Sequence, residues 1–313
     1  MNKIVVINSS GPMASSLVAA IVEKFGYLNI PLRKIGFHDY LIGDRELSDP
    51  YIWTRMIEVA KDYGQRGRSG GVSVVDRDKG PLKRLIDSEG MIKELEILER
   101  KNYSEVSALY QAARNCYAEN LLYKGRTYDP KKNIELTTDI QKFNPQKLLN
   151  SYQDEFDKVY MIHMHRDFTD WVESLVSQRF NHPRFRTKYL FLLSSAYRQF
   201  NEYEKMVNQY PGIHINIKSL FLNNTSVTIE KIAQYIDEPL DGIIWPSEEY
   251  DLFGKLSNYN AAFTPSDYSG RYLSRSTLIL IKFFEDRSFI NRFTDIIVAI
   301  MYLLDKYKFN NEK

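Results

Sequence analysis

Cysteine is almost absent: Cys116 stands alone in 313 residues. A single thiol excludes an intrachain disulfide and fits a reducing compartment. Long apolar runs are missing too. The longest near the C-terminus, Ile296 to Leu304, has nine residues, far short of a membrane span. The opening MNKIVVINSS carries too short an apolar run for a signal peptide, so the expected setting is cytoplasmic, with no membrane span. Neither sign of charge is in excess. The formal net charge is +2, without basic blocks, which argues against a nucleic-acid partner and leaves room for a local positive site that holds a small anion. Two nucleotide signatures are also lacking. No Gly-Lys-Ser or Gly-Lys-Thr occurs, which argues against an ordinary ATPase or GTPase, and no G-x-G-x-x-G marks a dinucleotide-binding oxidoreductase. His165-Arg166-Asp167 spells the kinase triplet, but Val172 stands where that pattern requires asparagine.

What is present has the pattern of an α/β protein. Hydrophobic residues are 43% and charged residues 26%, enough apolar material for a real core. Lys3 to Ile7 is β-branched without polar alternation, so both faces of that strand should be covered, as in a parallel sheet. A small-residue turn follows, Asn8 to Pro12, and then a helix from Ser15 to Phe25. Further strands are expected at Leu32–Phe37, Asn133–Leu136, Lys158–Met164 and His214–Ile217. Helices are expected over 50–64, 86–123, Phe168–Phe180, Tyr189–Tyr210 and Val227–Tyr235, with two more in a tail from Arg271 to Phe309. The glycine- and charge-rich stretch 64–81 reads as a loop. Strands alternating with helices predict a single α/β domain: a three-layer sandwich around a mostly parallel sheet with a helical C-terminal tail. Its core would comprise about 1–40 and 133–236, with a helical insertion over about 50–125 and the tail at 270–309.

Two segments carry chemistry. The turn before the first helix presents backbone N–H groups at the positive end of a helix dipole, and Ser15 and Ser16 add hydroxyls; this is an anion site by construction. The alternative is an ordinary tight turn. The second segment runs from Arg166 at the end of a strand to Ser174, eight residues on. Ligands in open α/β sheets sit at the carboxyl ends of strands, and arginine grips phosphate with two parallel N–H bonds. The alternative there is a helix-start ion pair plus a surface serine.

Together these segments resemble the sulfotransferases that use 3′-phosphoadenosine 5′-phosphosulfate (PAPS), which have a P-loop-like fold. MIHMHRDFTDWVESLVSQRF is similar to the family's R-D-x-x-D-x-x-x-S segment at Arg166, Asp167, Asp170 and Ser174. HINIKSLFLNNTSVTIEKIAQYID looks like the strand, turn and helix that follow it. The resemblance spans roughly residues 3 to 236. It implies that Ser10, Gly11, Pro12, Met13, Ala14, Ser15 and Ser16 hold the 5′-phosphosulfate and that Arg166 and Ser174 hold the 3′-phosphate. The family's loop reads [KR]-S-G-T-[TS]. The matching positions here are Pro12-Met13-Ala14-Ser15-Ser16, so the basic residue is replaced by Pro12. That cation stabilises developing charge, and its absence bears on catalysis more than on binding. Arg66, Arg68, Arg77 and Lys79 are replacements by residue type alone.

Sulfuryl transfer also requires a base. His38 is the first candidate, since a neutral imidazole suits proton abstraction near pH 7; Asp139 is the second, and Glu135 lies nearby within a strand. The implied acceptor is a small molecule or a glycan, and no metal is required. His163 and His165 share a strand face but make a poor metal site by themselves. Two other readings stay open: a non-catalytic nucleotide- or partner-binding module on the same fold, and a nucleotide-dependent transferase of another kind.

Overall fold

The structure is a computed structural model that describes residues 1–10, 13, 15–29, 37–66, 87–120, 128–137, 144–172, 189–221 and 225–241. The chain is α/β, built on a parallel five-stranded sheet. Its strands are β1 (Lys3–Asn8), β2 (Leu28–Asn29), β3 (Lys132–Thr137), β4 (Lys158–His165) and β5 (Ile213–Asn216). They lie in the order β2-β3-β1-β4-β5, and every pairing is parallel. Strand β1 is central, and its sequence suits that place. Ile4, Val5, Val6 and Ile7 are all without solvent exposure, and four consecutive apolar side chains need cover on both faces. The neighbours of β1 are β3 on one side and β4 on the other, so the order reverses at β1, the place where open α/β sheets open a crevice at their carboxyl edge.

The helices are α1 (Ser15–Glu23), α2 (Phe37–Leu41), α3 (Tyr51–Arg66), α4 (Ser88–Leu98), α5 (Val106–Glu119) and α6 (Pro145–Glu155). Helix α7 begins at 168 and is described to 172. Then come α8 (Tyr189–Val207), α9 (Ile217–Phe221) and α10 (Thr225–Ile236). The sheet is covered on both faces. On one, Tyr152 of α6 donates to Glu135 of β3, and Tyr203 of α8 shares its one O–H between the carbonyls of Asn8 at 2.7 Å and Met164 at 2.8 Å. On the other, Tyr235 of α10 packs edge-on to Tyr160 of β4, and α1 lies beside α10. At the amino edge of the sheet, the half-buried Lys3 and Lys132 converge on Glu238 just beyond α10, at 2.9 and 2.7 Å. This pins α10 to the end of the sheet remote from the crevice.

Several expected boundaries are corrected. A described strand lies at Leu28–Asn29; of the expected strand Leu32–Phe37 only Phe37 is among the described residues, and it opens a helix. Phe37 and Tyr40 are buried three residues apart, a helical spacing. The 86–123 stretch is two helices, with a turn after Leu98, and Ile217 begins α9 rather than ending a strand. Helix α6 was not expected at all. Its signal is present in Asn144, whose side chain accepts from Lys147 N–H at 3.0 Å, followed by Pro145 at the first turn. The stretch 67–81 and the tail 270–309 lie outside the described residues. No described helix is long and apolar enough to cross a membrane.

Candidate functional site at the carboxyl edge of the sheet

The first segment leaves β1 at Ser9. Ser9 N–H donates to the Thr137 carbonyl at 2.9 Å, extending the β1–β3 ladder by one residue. Ser10 N–H then donates to Sδ of Met13 at 3.3 Å, a weak acceptor. Met13 is buried, so its side chain belongs to the core and any ligand contact there is left to backbone. Ser10 and Ser15 are also buried, and the hydroxyl oxygens of both lack a hydrogen-bond partner. A buried hydroxyl without a partner costs on the order of 1–3 kcal/mol. Gly11, Pro12 and Ala14 lie outside the described residues, as does the side chain of Ser16.

The second segment begins where β4 ends. Arg166 is half-buried at the strand's carboxyl end, and α7 starts two residues later. Phe168 and Trp171 of α7 pack on Phe200 of α8, with centroids 5.2 and 5.8 Å away. The indole Nε1–H of Trp171 donates to the Ser10 carbonyl at 2.5 Å. That bond joins the two segments, 161 residues apart in sequence, into one edge. Asp167 and Asp170 both pair with Lys218 of α9, Asp170 at 3.5 Å. Two of the four residues shared with the family's segment therefore tie α7 to α9. Ser174 lies outside the described residues.

His38 stands on the other side of β1. Phe37 anchors α2 against Tyr110 at 4.3 Å and Phe156 at 6.4 Å. The next residue's imidazole then sits between two carboxylates. Nδ1 is 3.6 Å from Glu135 Oε1, and Nε2 is 3.7 Å from Asp39 Oδ1. Glu135 is buried and also accepts from Tyr152. Burial and the Glu135 carboxylate drive the Tyr152 phenol well above its ordinary value, so it stays a donor. Glu135, seen in the sequence only as a strand residue near the better candidates, is thus the partner of His38. Asp139 lies outside the described residues.

A polar row crosses the sheet at this edge. The strand registers align Thr137, Asn8, His163 and His214 on one face. The first three are buried. Burial holds the His163 pKa down to about 4, with the neighbouring histidines adding to the effect and the Pro211 carbonyl opposing it. The neutral ring has one tautomer that satisfies both contacts: Nε2–H donates to Pro211 O at 3.1 Å, and Nδ1 accepts from Asn8 Nδ2 at 3.1 Å. Beyond the row, His165 Nδ1 meets the Glu204 carboxylate at 2.9 and 3.0 Å, and His165 Nε2 meets His214 Nδ1 at 2.6 Å. His165, His214, Glu204 and Arg166 line one open cleft of about 840 Å³. Glu204 and His214 were not singled out from sequence; nothing in local spacing connects α8 to β5. Among the described residues no group of three or more His, Cys, Asp or Glu is arranged to hold a metal.

No protein-family model matches the chain, and no curated protein matches it. Among the solved structures similar to the chain are three sulfotransferases. The sulfotransferase domain from the curacin biosynthetic pathway is 14% identical with a TM-score of 0.47, over 96% of this chain and 98% of that one. The sulfotransferase domain from the Synechococcus PCC 7002 olefin synthase is 12% identical with a TM-score of 0.43, over 77% of this chain and 74% of that one. Sulfotransferase STF9 from Mycobacterium avium is 11% identical with a TM-score of 0.39, over 77% of this chain and 65% of that one. Overlaps this loose assign no residue a role.

Proposed function

We propose that this chain is a sulfotransferase that binds PAPS and passes its sulfuryl group to the hydroxyl of a small molecule or glycan. The observation that carries the reading is the Trp171–Ser10 hydrogen bond of 2.5 Å. It brings the turn after β1 and the Arg166 segment together at the crevice, where one bisphosphorylated nucleotide would need both. The orphaned hydroxyls of Ser10 and Ser15 fit the 5′ side of such a ligand, and backbone from Gly11 to Ala14 with Ser16 would complete that cradle. Arg166 and Ser174 would hold the 3′-phosphate. The nucleotide supplies an activated sulfuryl group, whose bond to the bridging oxygen breaks as the acceptor oxygen bonds to sulfur.

The chain's own part is orientation and proton transfer. Strand order puts His38 over β3 and Arg166 at the end of β4, with the Ser9–Ser10 turn of β1 between them. His38 would therefore approach from the acceptor side and take the acceptor's proton, with Glu135 stabilising the imidazolium that forms. Asp139 is the second candidate for that proton.

Calorimetry with 3′-phosphoadenosine 5′-phosphate, against AMP and ATP, tests the nucleotide class. Tight binding that requires the 3′-phosphate is expected; no preference over AMP in the folded protein would remove the proposal. The base is tested separately by His38→Gln. It should slow release of 3′-phosphoadenosine 5′-phosphate from PAPS with added acceptors ~100-fold or more, while nucleotide affinity stays unchanged. An unaltered rate would transfer the role to Asp139. Pro12 in place of the loop cation favours one further reading, a nucleotide-binding module without turnover. That reading predicts binding with no sulfated product from any acceptor.

A further inference from the structure

The cleft at the ends of β4 and β5 holds two imidazoles that the transfer scheme leaves unused. Their hydrogen bonds determine where their protons sit. With both rings neutral, Glu204 accepts from Nδ1–H of His165 at 2.9 Å, which leaves the lone pair of His165 on Nε2. That lone pair faces Nδ1 of His214 at 2.6 Å, and Nδ1 of His214 therefore carries the hydrogen between the rings. The remaining nitrogen, Nε2 of His214, is left as the basic end of a chain that runs Glu204, His165, His214. A proton added there can be shared along the chain and is stabilised at its far end by the Glu204 carboxylate.

The charges around the chain explain what such a proton would be for. Among the described residues lining the cleft, Arg166 is the one cation against Glu204, Asp167 and Asp170. Lys218 pairs with both aspartates from α9. The lining itself thus carries one cation and three carboxylates, with Lys218 offsetting the two aspartates from outside it, a poor field for a phosphate dianion. Lys231 of α10 donates to the His214 carbonyl at 3.0 Å. Burial is the main effect that disfavours charge on His214, with His165 and then Lys231 adding to it and Glu204 opposing. His163 behind the pair stays neutral, its ring 5.0 Å from that of His214. Tyr210 lies on the far side of His163. An arriving dianion changes this balance in the direction that favours protonation.

We propose that His165 and His214 join Arg166 in a phosphate site that takes up one proton when a phosphate dianion binds. The inference rests on the reading of this cleft as the 3′-phosphate site. It makes the two histidines binding residues for the nucleotide and links nucleotide affinity to pH.

The test is calorimetric titration of the full chain with 3′-phosphoadenosine 5′-phosphate at pH 7.5 in buffers of different ionisation enthalpy, with AMP alongside. Wild type should take up between about half and one proton with the 3′-phosphorylated nucleotide and close to none with AMP. Its affinity should fall up to about tenfold per pH unit above neutrality, the slope of a one-proton linkage. His214→Gln should bind with no uptake and with the weak affinity of wild type at high pH. Glu204→Gln should also lose the uptake yet bind more tightly at pH 8.5, because the removed charge supplies what the proton otherwise does. Opposite shifts in affinity from two variants that both lose the linkage separate this mechanism from simple loss of structure. Binding without proton uptake in wild type, or equal uptake with AMP, overturns the inference and leaves the sulfotransferase reading standing. No binding of 3′-phosphoadenosine 5′-phosphate overturns both.

Discussion

Arg166→Ala is expected to weaken binding of 3′-phosphoadenosine 5′-phosphate at least ~100-fold while leaving AMP nearly unaffected. The guanidinium is the one cation lining the cleft among the described residues. A bidentate grip on a phosphate makes two charge-assisted hydrogen bonds, each worth about 1.5–3 kcal/mol, and every 1.4 kcal/mol is tenfold in affinity. The fold should survive the change. Arg166 sits at the mouth of the sheet, and the core beneath it is Met164, Phe168 and Trp171. Calorimetric affinity for the two nucleotides, together with the thermal midpoint of the variant, checks this. A loss confined to the 3′-phosphorylated ligand is the expected result. Equal affinity in variant and wild type would mean that the Arg166 segment is an architectural element, and the nucleotide assignment would go with it.

Gly212→Ala should destabilise the fold by about 2–5 kcal/mol. Gly212 has φ of +145°, a conformation that L side chains rarely adopt. A Cβ there would stand 2.3 Å from the Met161 carbonyl and 2.9 Å from Nε2 of His163. The first contact is with backbone, so no rotamer relieves it, and strain adds to overpacking. The turn would have to move away from β4, taking the Pro211 carbonyl from His163. A urea-unfolding midpoint measures the loss; a change below about 0.5 kcal/mol would show that the turn is free to shift.

The same variant has a pH signature. The folded pKa of His163, about 4, lies below the unfolded value of about 6.5. Its contribution to stability is therefore complete above about 6.5 and is lost as pH falls toward 4. Loss of the Pro211 carbonyl lowers the folded value further while opening the ring to water raises it, so the slope across that window shows which of the two the displaced turn changes more.

Local sequence determined the elements whose demands are local. Ile4 to Ile7 had to be a covered strand because four consecutive apolar side chains need cover on both faces. The strand ending at His165 and the helix that follows were legible for the same reason, and the Arg166 segment could be read from identity and spacing. The fold class followed from alternation of strand and helix patterns. Short elements were less legible. Phe37, expected to end a strand, opens a helix of only five residues, Phe37–Leu41, and period cannot separate helix from strand over so few residues.

Tertiary structure decided which residues share a site. The row of Thr137, Asn8, His163 and His214 exists because β3, β1, β4 and β5 are neighbours in that order and register. No local pattern in any one strand encodes which other strand will lie beside it. The contacts of His38 with Glu135, of Trp171 with Ser10 and of Glu204 with His165 each join residues from 39 to 161 positions apart. Those contacts are set by packing, through the requirement that each buried polar group find a partner once the apolar faces have chosen theirs.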